Sequence, residues 1–291
     1  MTRIIHSLAE VSEGYDALFC DLWGCVHDGI RPFPAAVDAL RAFRARGGKV
    51  VLVTNSPRPR ASVAGQLDRI GVPRDCWDTI ASSGDSARAA MFQGVVGQKV
   101  YFIGDGETDA GFFSPLKILD NPVEITKVPL NEAEGIVCTG PFDPMAAPSV
   151  YRADFLYART KRMKLLCANP DIVVDRGEVR EWCAGALAQL YTEMGGESLY
   201  FGKPHPPIYD LARRRLAALC DVEDPRILAV GDGIATDIQG AMGEGIDALF
   251  ITGGLAATEF GADVENPDSG LLGSWLDAAQ MSPRYAIGRL R

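Results

Sequence analysis

The stretch Ala17-Leu18-Phe19-Cys20-Asp21-Leu22-Trp23-Gly24 decides the fold. Its four apolar residues stop abruptly at a carboxylate, and a glycine follows three positions later. A short apolar run of this kind is typical of a strand buried on both faces of a parallel sheet. In open α/β sheets, ligands bind beyond the carboxyl ends of the strands. The stretch therefore predicts a buried strand that delivers Asp21 to the ligand-binding edge of a sheet.

The same pattern recurs further along the chain. Three more apolar runs end in polar or glycine-containing segments, at Thr54-Asn55-Ser56, Gly202-Lys203-Pro204 and Gly231-Asp232-Gly233. A single strand followed by an aspartate means little, because carboxylates commonly cap turns. Four such strand ends in one chain favour a shared functional site.

Composition restricts the class of protein. With 291 residues and 47% hydrophobic content, the chain is long enough for two domains with real cores. The net charge of −9 disfavours nucleic acid and anionic membranes as partners, so an anionic substrate would need a lysine or a metal ion.

Seven scattered cysteines, none in a C-x-x-C pair, favour reduced buried thiols. No secretory signal and no run of ~18 apolar residues is present. We therefore expect a cytoplasmic protein, and a homo-oligomer is compatible with the sequence.

Strand and helix patterns alternate along the chain, which predicts the α/β class with a doubly wound, Rossmann-like parallel sheet. The middle of the chain forms a second α/β series with loop-rich joins. We predict a core domain made of residues 1–81 and 199–291, with strand 199–201 in its sheet. An α/β cap domain of residues 82–198 is inserted into it.

The residues at the strand ends suit phosphoryl chemistry. Asp21 and Asp232 offer two carboxylates of the kind that hold Mg²⁺, a hard cation that also binds phosphate oxygens. Thr54 and Asn55 offer donors to phosphate oxygens, and Lys203 offers a point charge. Such a set would let a carboxylate attack phosphorus through an aspartyl-phosphate. A small phosphorylated substrate is therefore expected.

These segments together resemble the haloacid dehalogenase-like hydrolase superfamily, in its class IIA branch, the NagD-type and nitrophenylphosphatase-like proteins. The resemblance spans nearly the whole chain, including an insertion with Asn169-Pro170-Asp171 at the position of that class's cap. It implies a phosphatase with Mg²⁺ as cofactor. It implies that Asp21 is the nucleophile and a metal ligand, and that the Trp23 backbone carbonyl and Asp232 also bind the metal, with Asp237 in support. It implies phosphate binding by Thr54, Asn55, Ser56 and Lys203. Lys203 is also expected to contribute a catalytic charge.

The chain departs from this family at Trp23. The family's phosphatases carry a second aspartate two residues after the nucleophile, which protonates the leaving group and later activates water. An indole N–H donates a hydrogen bond but does not exchange a proton usefully. General acid–base catalysis is worth about 10²- to 10⁴-fold in rate. The sequence therefore predicts a slow enzyme, or one restricted to good leaving groups.

Several alternatives stay open at this point. His27 or Asp28 would supply a substitute acid, or Asp28 would form a turn beside a partly exposed His27. Cys25 would be a thiol nucleophile or a small packing residue, and His205 would meet substrate or pack against prolines. At the level of function, the alternative to an enzyme is a catalytically weak protein that binds phosphometabolites. Metal-free hydrolysis of a carbon–halogen bond by Asp21 is a third hypothesis.

Overall fold

The computed structural model describes residues 2–107, 109–114, 121–176 and 179–291. It divides into two compact units. The first unit consists of Met1–Thr54, Ala64–Ala81 and Tyr209–Arg291, and the second consists of Asn55–Val63 and Ser82–Ile208. Within the described ranges, no helix has the length and apolar character needed to cross a membrane.

The strands, numbered in chain order, are β1 (Arg3–Ile4), β2 (Ala17–Cys20), β3 (Lys49–Thr54), β4 (Thr79–Ser82), β5 (Lys99–Ile103), β6 (Thr126–Lys127), β7 (Gly135–Cys138), β8 (Lys164–Cys167), β9 (Val173–Arg176), β10 (Val179–Trp182), β11 (Glu197–Tyr200), β12 (Ile227–Gly231), β13 (Asp247–Ile251) and β14 (Tyr285–Ile287). The α-helices are α1 (Pro34–Ala45), α2 (Arg60–Ile70), α3 (Ser83–Phe92), α4 (Arg152–Thr160), α5 (Ala184–Glu193), α6 (Pro206–Ala217), α7 (Gln239–Gly243) and α8 (Ser269–Ala279).

The first unit is built on a seven-stranded sheet in the order β1-β14-β13-β12-β2-β3-β4. The pairs from β1 through β3 are all parallel. Strand β2, next to the middle of the sheet, is completely buried, as its four apolar residues predict. From β2 the chain winds outward to β3 and β4 on one side, and β12, β13 and β14 lie on the other side. The order of winding therefore reverses between β2 and β12, which is where open α/β sheets bind ligands.

The second unit is built on a five-stranded sheet in the order β11-β8-β7-β5-β6, and all its pairs are parallel. Alternate residues of one strand enter different hydrophobic clusters, with Ile136 and Cys138 in one and Val137 in the other. The sheet is thus buried on both faces. An antiparallel hairpin of β9 and β10 accompanies it. These two units confirm the predicted α/β class, with a doubly wound parallel core and an inserted α/β unit.

The structure corrects the position of one strand. We predicted strand 199–201 in the core sheet, but β11 pairs with β8, with Leu199 opposite Leu166. The second unit also runs on to Ile208 and takes in Asn55–Val63. The residues of β11 are only partly buried or exposed, as suits the edge of a sheet. The local sequence of an edge strand does not indicate which of two parallel sheets it joins. Our assignment of this strand to the core sheet was therefore wrong.

Candidate active site

Two carboxylates lie side by side where the winding of the first unit reverses. Asp21 follows β2 and Asp232 follows β12, and Val230 stands opposite Cys20 in the parallel register. The Asp21 backbone N–H donates to the Val230 carbonyl at 2.8 Å, which extends this pairing by one residue. Both side chains are buried, with 8% and 5% of their residue surface exposed. One oxygen of each carboxylate and the Cys25 Sγ lie within 4.8 Å of one another.

Two glycines, which have no side chain, create the space that the Asp232 carboxylate occupies. A Cβ on Gly24 would lie 2.0 Å from Asp232 Oδ2, and a Cβ on Gly254 would lie 2.1 Å from the same atom. The backbone N–H of Leu255 donates to this oxygen at 3.0 Å. Gly24 also has a φ of +71°, a conformation that glycine adopts at no steric cost. Any side chain at either glycine would therefore displace the carboxylate.

Asp237 has a positioning role within the same loop. Its Oδ2 accepts hydrogen bonds from the backbone N–H of Gly233 at 3.1 Å and from the Thr236 hydroxyl at 3.4 Å. A Cβ on Gly231 would lie 2.1 Å from Asp237 Cγ. Asp237 is itself buried. It therefore holds the turn on both sides of Asp232 in place.

Thr54 joins this group because β3 lies next to β2. It is the last residue of β3 and is buried, and Leu52 stands opposite Cys20 in the parallel register. The first unit thus brings Asp21, Asp232, Asp237 and Thr54 to the carboxyl edge of one sheet. This edge is the location predicted from the apolar runs.

Asn55 and Lys203 form a second group, within the second unit. Asn55 Oδ1 accepts from the Lys203 backbone N–H at 2.7 Å, and Asn55 Nδ2 donates to the Lys203 carbonyl at 3.1 Å and to Asp171 Oδ1 at 2.8 Å. The five polar atoms that these three hydrogen bonds join belong to buried or partly buried residues. A Cβ on Gly202 would lie 2.4 Å from Asn55 Oδ1, which explains the glycine before the lysine.

The Ser56 side chain is hydrogen-bonded within its own loop. Its Oγ accepts from the Arg58 backbone N–H at 3.3 Å, and its carbonyl accepts from the Gly84 backbone N–H at 3.0 Å.

Thr54 and Asn55 are consecutive, so the chain itself connects the carboxylate group of the first unit to the amide–lysine group of the second.

Trp23 packs against its own loop. A Cβ on Gly29 would lie 2.3 Å from Trp23 Cη2, and Gly29 has a φ of +88°. The indole also meets the His27 ring edge-to-face, with 5.3 Å between centroids. The glycine at position 29 thus provides the surface on which the indole lies.

Neither His27 nor Asp28 has the properties of a ready proton donor. His27 is 1% exposed, so our expectation of a partly exposed histidine was wrong. Its Nδ1 accepts from the Gly29 backbone N–H at 3.0 Å, which leaves the proton of the neutral ring on Nε2. Burial lowers the pKa of His27 to about 4. Hydrogen bonds from the backbone N–H groups of Arg31 and Ile30 lower the pKa of Asp28, which caps its turn as predicted.

The other two candidates of the sequence analysis, Cys25 and His205, lack the properties of a catalytic nucleophile or acid. Burial, together with the charges of Asp232 and Asp21, raises the pKa of the Cys25 thiol well above its usual value, which disfavours a thiolate nucleophile. His205 stacks on Tyr200, with 4.7 Å between ring centroids, and burial lowers its pKa. Gly254, which gives the Asp232 carboxylate its room, is a further residue of the site outside the four motifs. The available signal was a Gly-Gly pair directly after a strand.

Comparison with known proteins identifies the family. Residues 18–112 match the model of the haloacid dehalogenase-like hydrolases, and residues 200–272 match a HAD-hydrolase-like model. A crystal structure of a haloacid dehalogenase-like hydrolase from Brucella suis 1330 is 37% identical, with a TM-score of 0.85. That similarity covers 99% of this chain and 100% of the other. The chain belongs to the haloacid dehalogenase-like (HAD) hydrolase family.

Curated relatives place this HAD hydrolase in the NagD-type class IIA branch, as the motifs predicted. The ribonucleotide monophosphatase NagD of Escherichia coli (strain K12) is 25% identical over 250 residues, 83% of this chain and 89% of that protein. The D-glycerol 3-phosphate phosphatase of Mycobacterium tuberculosis (strain ATCC 25618 / H37Rv) is 25% identical over 252 residues, 85% of this chain. The match spans 66% of the mycobacterial protein.

The carboxylate pair fits the cation that HAD phosphatases generally use. Asp21 and Asp232 offer hard oxygen ligands close enough to share one ion, and Mg²⁺ takes one or two carboxylates with waters and substrate phosphate. The space left by Gly24 and Gly254 fits the Asp232 carboxylate closely, so its position is set before an ion binds. The residues of this HAD hydrolase therefore suit Mg²⁺.

Proposed function

We propose that this HAD hydrolase is a Mg²⁺-dependent phosphatase of small phosphorylated metabolites that acts through an aspartyl-phosphate on Asp21. The observation that carries the proposal is the buried Asp21–Asp232 pair at the point where the sheet reverses its winding. Asp21, Asp232 and the Trp23 backbone carbonyl would hold the ion, which when bound would neutralise charge on the phosphoryl group. Curated relatives that act on glycerol 3-phosphate and ribonucleotide monophosphates support this substrate class.

The side chains of this protein would act in both steps of the reaction. An Asp21 oxygen attacks phosphorus, and the bond from phosphorus to the leaving oxygen breaks. Thr54, Asn55 and Lys203 offer donors and a positive charge to the phosphoryl oxygens. Water then attacks the phosphorus of phospho-Asp21, which releases inorganic phosphate and regenerates the carboxylate.

Trp23 limits the range of leaving groups in this proposal. No proton donor stands two residues after Asp21, and His27 and Asp28 are engaged in their own loop. An oxygen that departs without a proton must be a weak base, so aryl phosphates, acyl phosphates and anhydrides should react faster than alkyl phosphates. The same observation favours the second candidate, a protein that binds phosphometabolites and turns them over weakly.

One set of assays separates these functions. The full-length protein is given an aryl phosphate, with and without magnesium, alongside Asp21→Asn. Turnover that needs both magnesium and Asp21 supports the phosphatase. Metal-dependent phosphate binding without turnover of any phosphate would replace it with the binding protein. Metal-independent release of halide from a haloacid would point to carbon–halogen hydrolysis.

A further inference from the structure

Cys25 differs from four other buried cysteines of the chain. The thiols of Cys20, Cys76, Cys138 and Cys167 each donate to a backbone carbonyl. In the described part of the chain, the Cys25 thiol has no hydrogen-bond partner, although only 1% of the residue is exposed. Its Sγ instead lies within 4.8 Å of an oxygen of Asp21 and an oxygen of Asp232. A buried polar group without a hydrogen-bond partner calls for an explanation, and ligation of a metal ion is one of them.

The loop fixes the backbone of Cys25 in this position. The Leu22 carbonyl accepts from the backbone N–H groups of Val26 at 2.8 Å and His27 at 3.1 Å, which closes a tight turn around Cys25. Gly24, in its left-handed conformation, packs against the Asp232 carboxylate. The backbone of Cys25 is therefore fixed in the turn beside the two carboxylates.

We propose that Cys25 is a third ligand at the carboxylate pair, and that it gives this site affinity for a thiophilic divalent cation of the Zn²⁺ and Cd²⁺ class. Two carboxylate oxygens and one sulfur give three side-chain ligands, and the Trp23 backbone carbonyl or a water would take the fourth position of a tetrahedral zinc site. When the bond from sulfur to the cation forms, the S–H bond breaks and its proton leaves to solvent, with no change of oxidation state. Mg²⁺, which prefers oxygen, does not use the sulfur. A thiophilic cation therefore competes with Mg²⁺ for the same two carboxylates.

This inference uses the carboxylate pair of the proposed function, but its test needs no turnover. The magnesium-free full-length protein is titrated with Cd²⁺, and the ultraviolet charge-transfer absorption of the cadmium–thiolate bond is recorded. One equivalent of Cd²⁺ should produce the band in the wild type. Cys25→Ala should lose it and bind Cd²⁺ at least about tenfold more weakly, the smallest loss usual even for an outer-shell partner of a metal. An unchanged band in Cys25→Ala, or no band in the wild type, would overturn the proposal.

The matched control is Cys220→Ser. Cys220 is partly exposed beside Asp221, so it is a thiol that an adventitious cation would reach easily. This variant should keep the band, and its loss there would assign the signal to Cys220 and refute the proposal. Thermal unfolding checks that Cys25→Ala is folded.

Competition in the wild type provides a test that does not depend on any variant. Excess Mg²⁺ should remove the cadmium band, because both ions need Asp21 and Asp232. A band that persists while Mg²⁺ is bound would place cadmium elsewhere and overturn the proposal. If Mg²⁺ binds and Cd²⁺ gives no band, only the role of Cys25 fails. If neither ion binds, the cation site of the proposed phosphatase fails as well.

Discussion

The side-chain amide of Asn55 is hydrogen-bonded to both backbone groups of Lys203, a residue 148 positions away. It accepts from the N–H at 2.7 Å and donates to the carbonyl at 3.1 Å. Because the second Nδ2 hydrogen is donated to Asp171, the amide uses both donors and its acceptor. The lysine backbone is therefore fixed by a side chain from the segment that directly follows β3.

Asn55→Asp should disrupt this arrangement almost without a change of shape. The new carboxylate would replace a donor and face the Asp171 carboxylate and the Lys203 carbonyl, so two acceptors in a buried or partly buried position would each lose this hydrogen bond. We expect the free energy of unfolding to fall by about 2–4 kcal/mol and the KM for phosphate substrates to rise. Asn266→Asp is the matched control, since Asn266 Nδ2 also donates to an aspartate, at 2.9 Å, but on the surface. Equal losses in the two variants would show that burial of Asn55 is not what matters.

Asp21→Asn should abolish turnover and leave the fold intact. The amide removes the negative charge of the nucleophile while keeping its shape, so secondary structure and thermal unfolding should match the wild type. The measurement is release of phosphate from an aryl phosphate. Asp28→Asn serves as the control, because Asp28 is engaged in a turn, and it should retain most of the activity. Wild-type turnover in a pure preparation of Asp21→Asn would refute the covalent mechanism.

Asp232→Asn should weaken Mg²⁺ binding by at least about tenfold, since the site has few protein carboxylates. Isothermal titration of Mg²⁺ into the two proteins measures this change directly. Asp237→Asn gives a useful contrast, because Asp237 accepts from Gly233 and acts on the site through the loop. A smaller loss is expected there. If Asp232→Asn binds Mg²⁺ as tightly as the wild type, Asp232 is not a ligand.

His27 should make stability depend on pH in a defined window. Its native pKa of about 4 lies below its ordinary value of 6.5, because burial favours the neutral ring. Above pH 6.5 both states are neutral at this group and no penalty applies. Between pH 6.5 and 4 the unfolded chain takes up a proton that the native state does not, so native stability falls by up to about 3 kcal/mol.

Urea unfolding at pH 7.5 and pH 4.5 tests this expectation. His27→Asn, whose Oδ1 can still accept from the Gly29 N–H, should have a smaller pH dependence in that window, and the part that remains should include His205, whose pKa burial also lowers. His6→Asn, at an exposed histidine, is the control and should keep the wild-type slope. If the slope is unchanged in His27→Asn, other groups cause it.

The sequence predicted the strands that carry the site, because a fully buried strand leaves an unmistakable apolar run. Residues 17–20 and 227–230 were recognised in this way, and both lie at the centre of the first sheet. Two very short edge strands escaped prediction. The pairs Arg3–Ile4 and Thr126–Lys127 hold too few apolar residues to form a pattern, and their strands exist only through pairing with neighbours distant in sequence.

The site residues were predictable where a motif follows a strand, and not where packing alone defines them. Asp21 and Asp232 follow apolar runs, whereas the clearance that Gly254 gives to Asp232 is a long-range contact between two loops. The burial of His27 likewise depends on Trp23 folding back over Gly29. No local pattern of residues encodes such contacts.

Trp23 gives the sharpest test of the chemistry. Its indole lies against Gly29 and the His27 ring, and the side chain is partly exposed. Trp23→Phe should preserve part of this packing without adding a proton donor, whereas Trp23→Asp supplies a donor and removes the ring. Loss of a large buried aromatic side chain costs about 3–5 kcal/mol, and the partial exposure of Trp23 should keep the loss below that range. Thermal unfolding of both variants sets the temperature at which their rates can be compared.

The rates of an alkyl and an aryl phosphate are then measured in the wild type, Trp23→Phe and Trp23→Asp. In the wild type the aryl phosphate should react much faster, because its leaving oxygen needs no proton. Trp23→Asp should raise the alkyl rate by up to about 10²- to 10⁴-fold, the usual value of a general acid, and narrow the gap between the substrates. Trp23→Phe should leave the gap as it is. An equal rise in both variants would mean that the indole obstructs the substrate, and efficient alkyl turnover by the wild type would mean that another group supplies the proton.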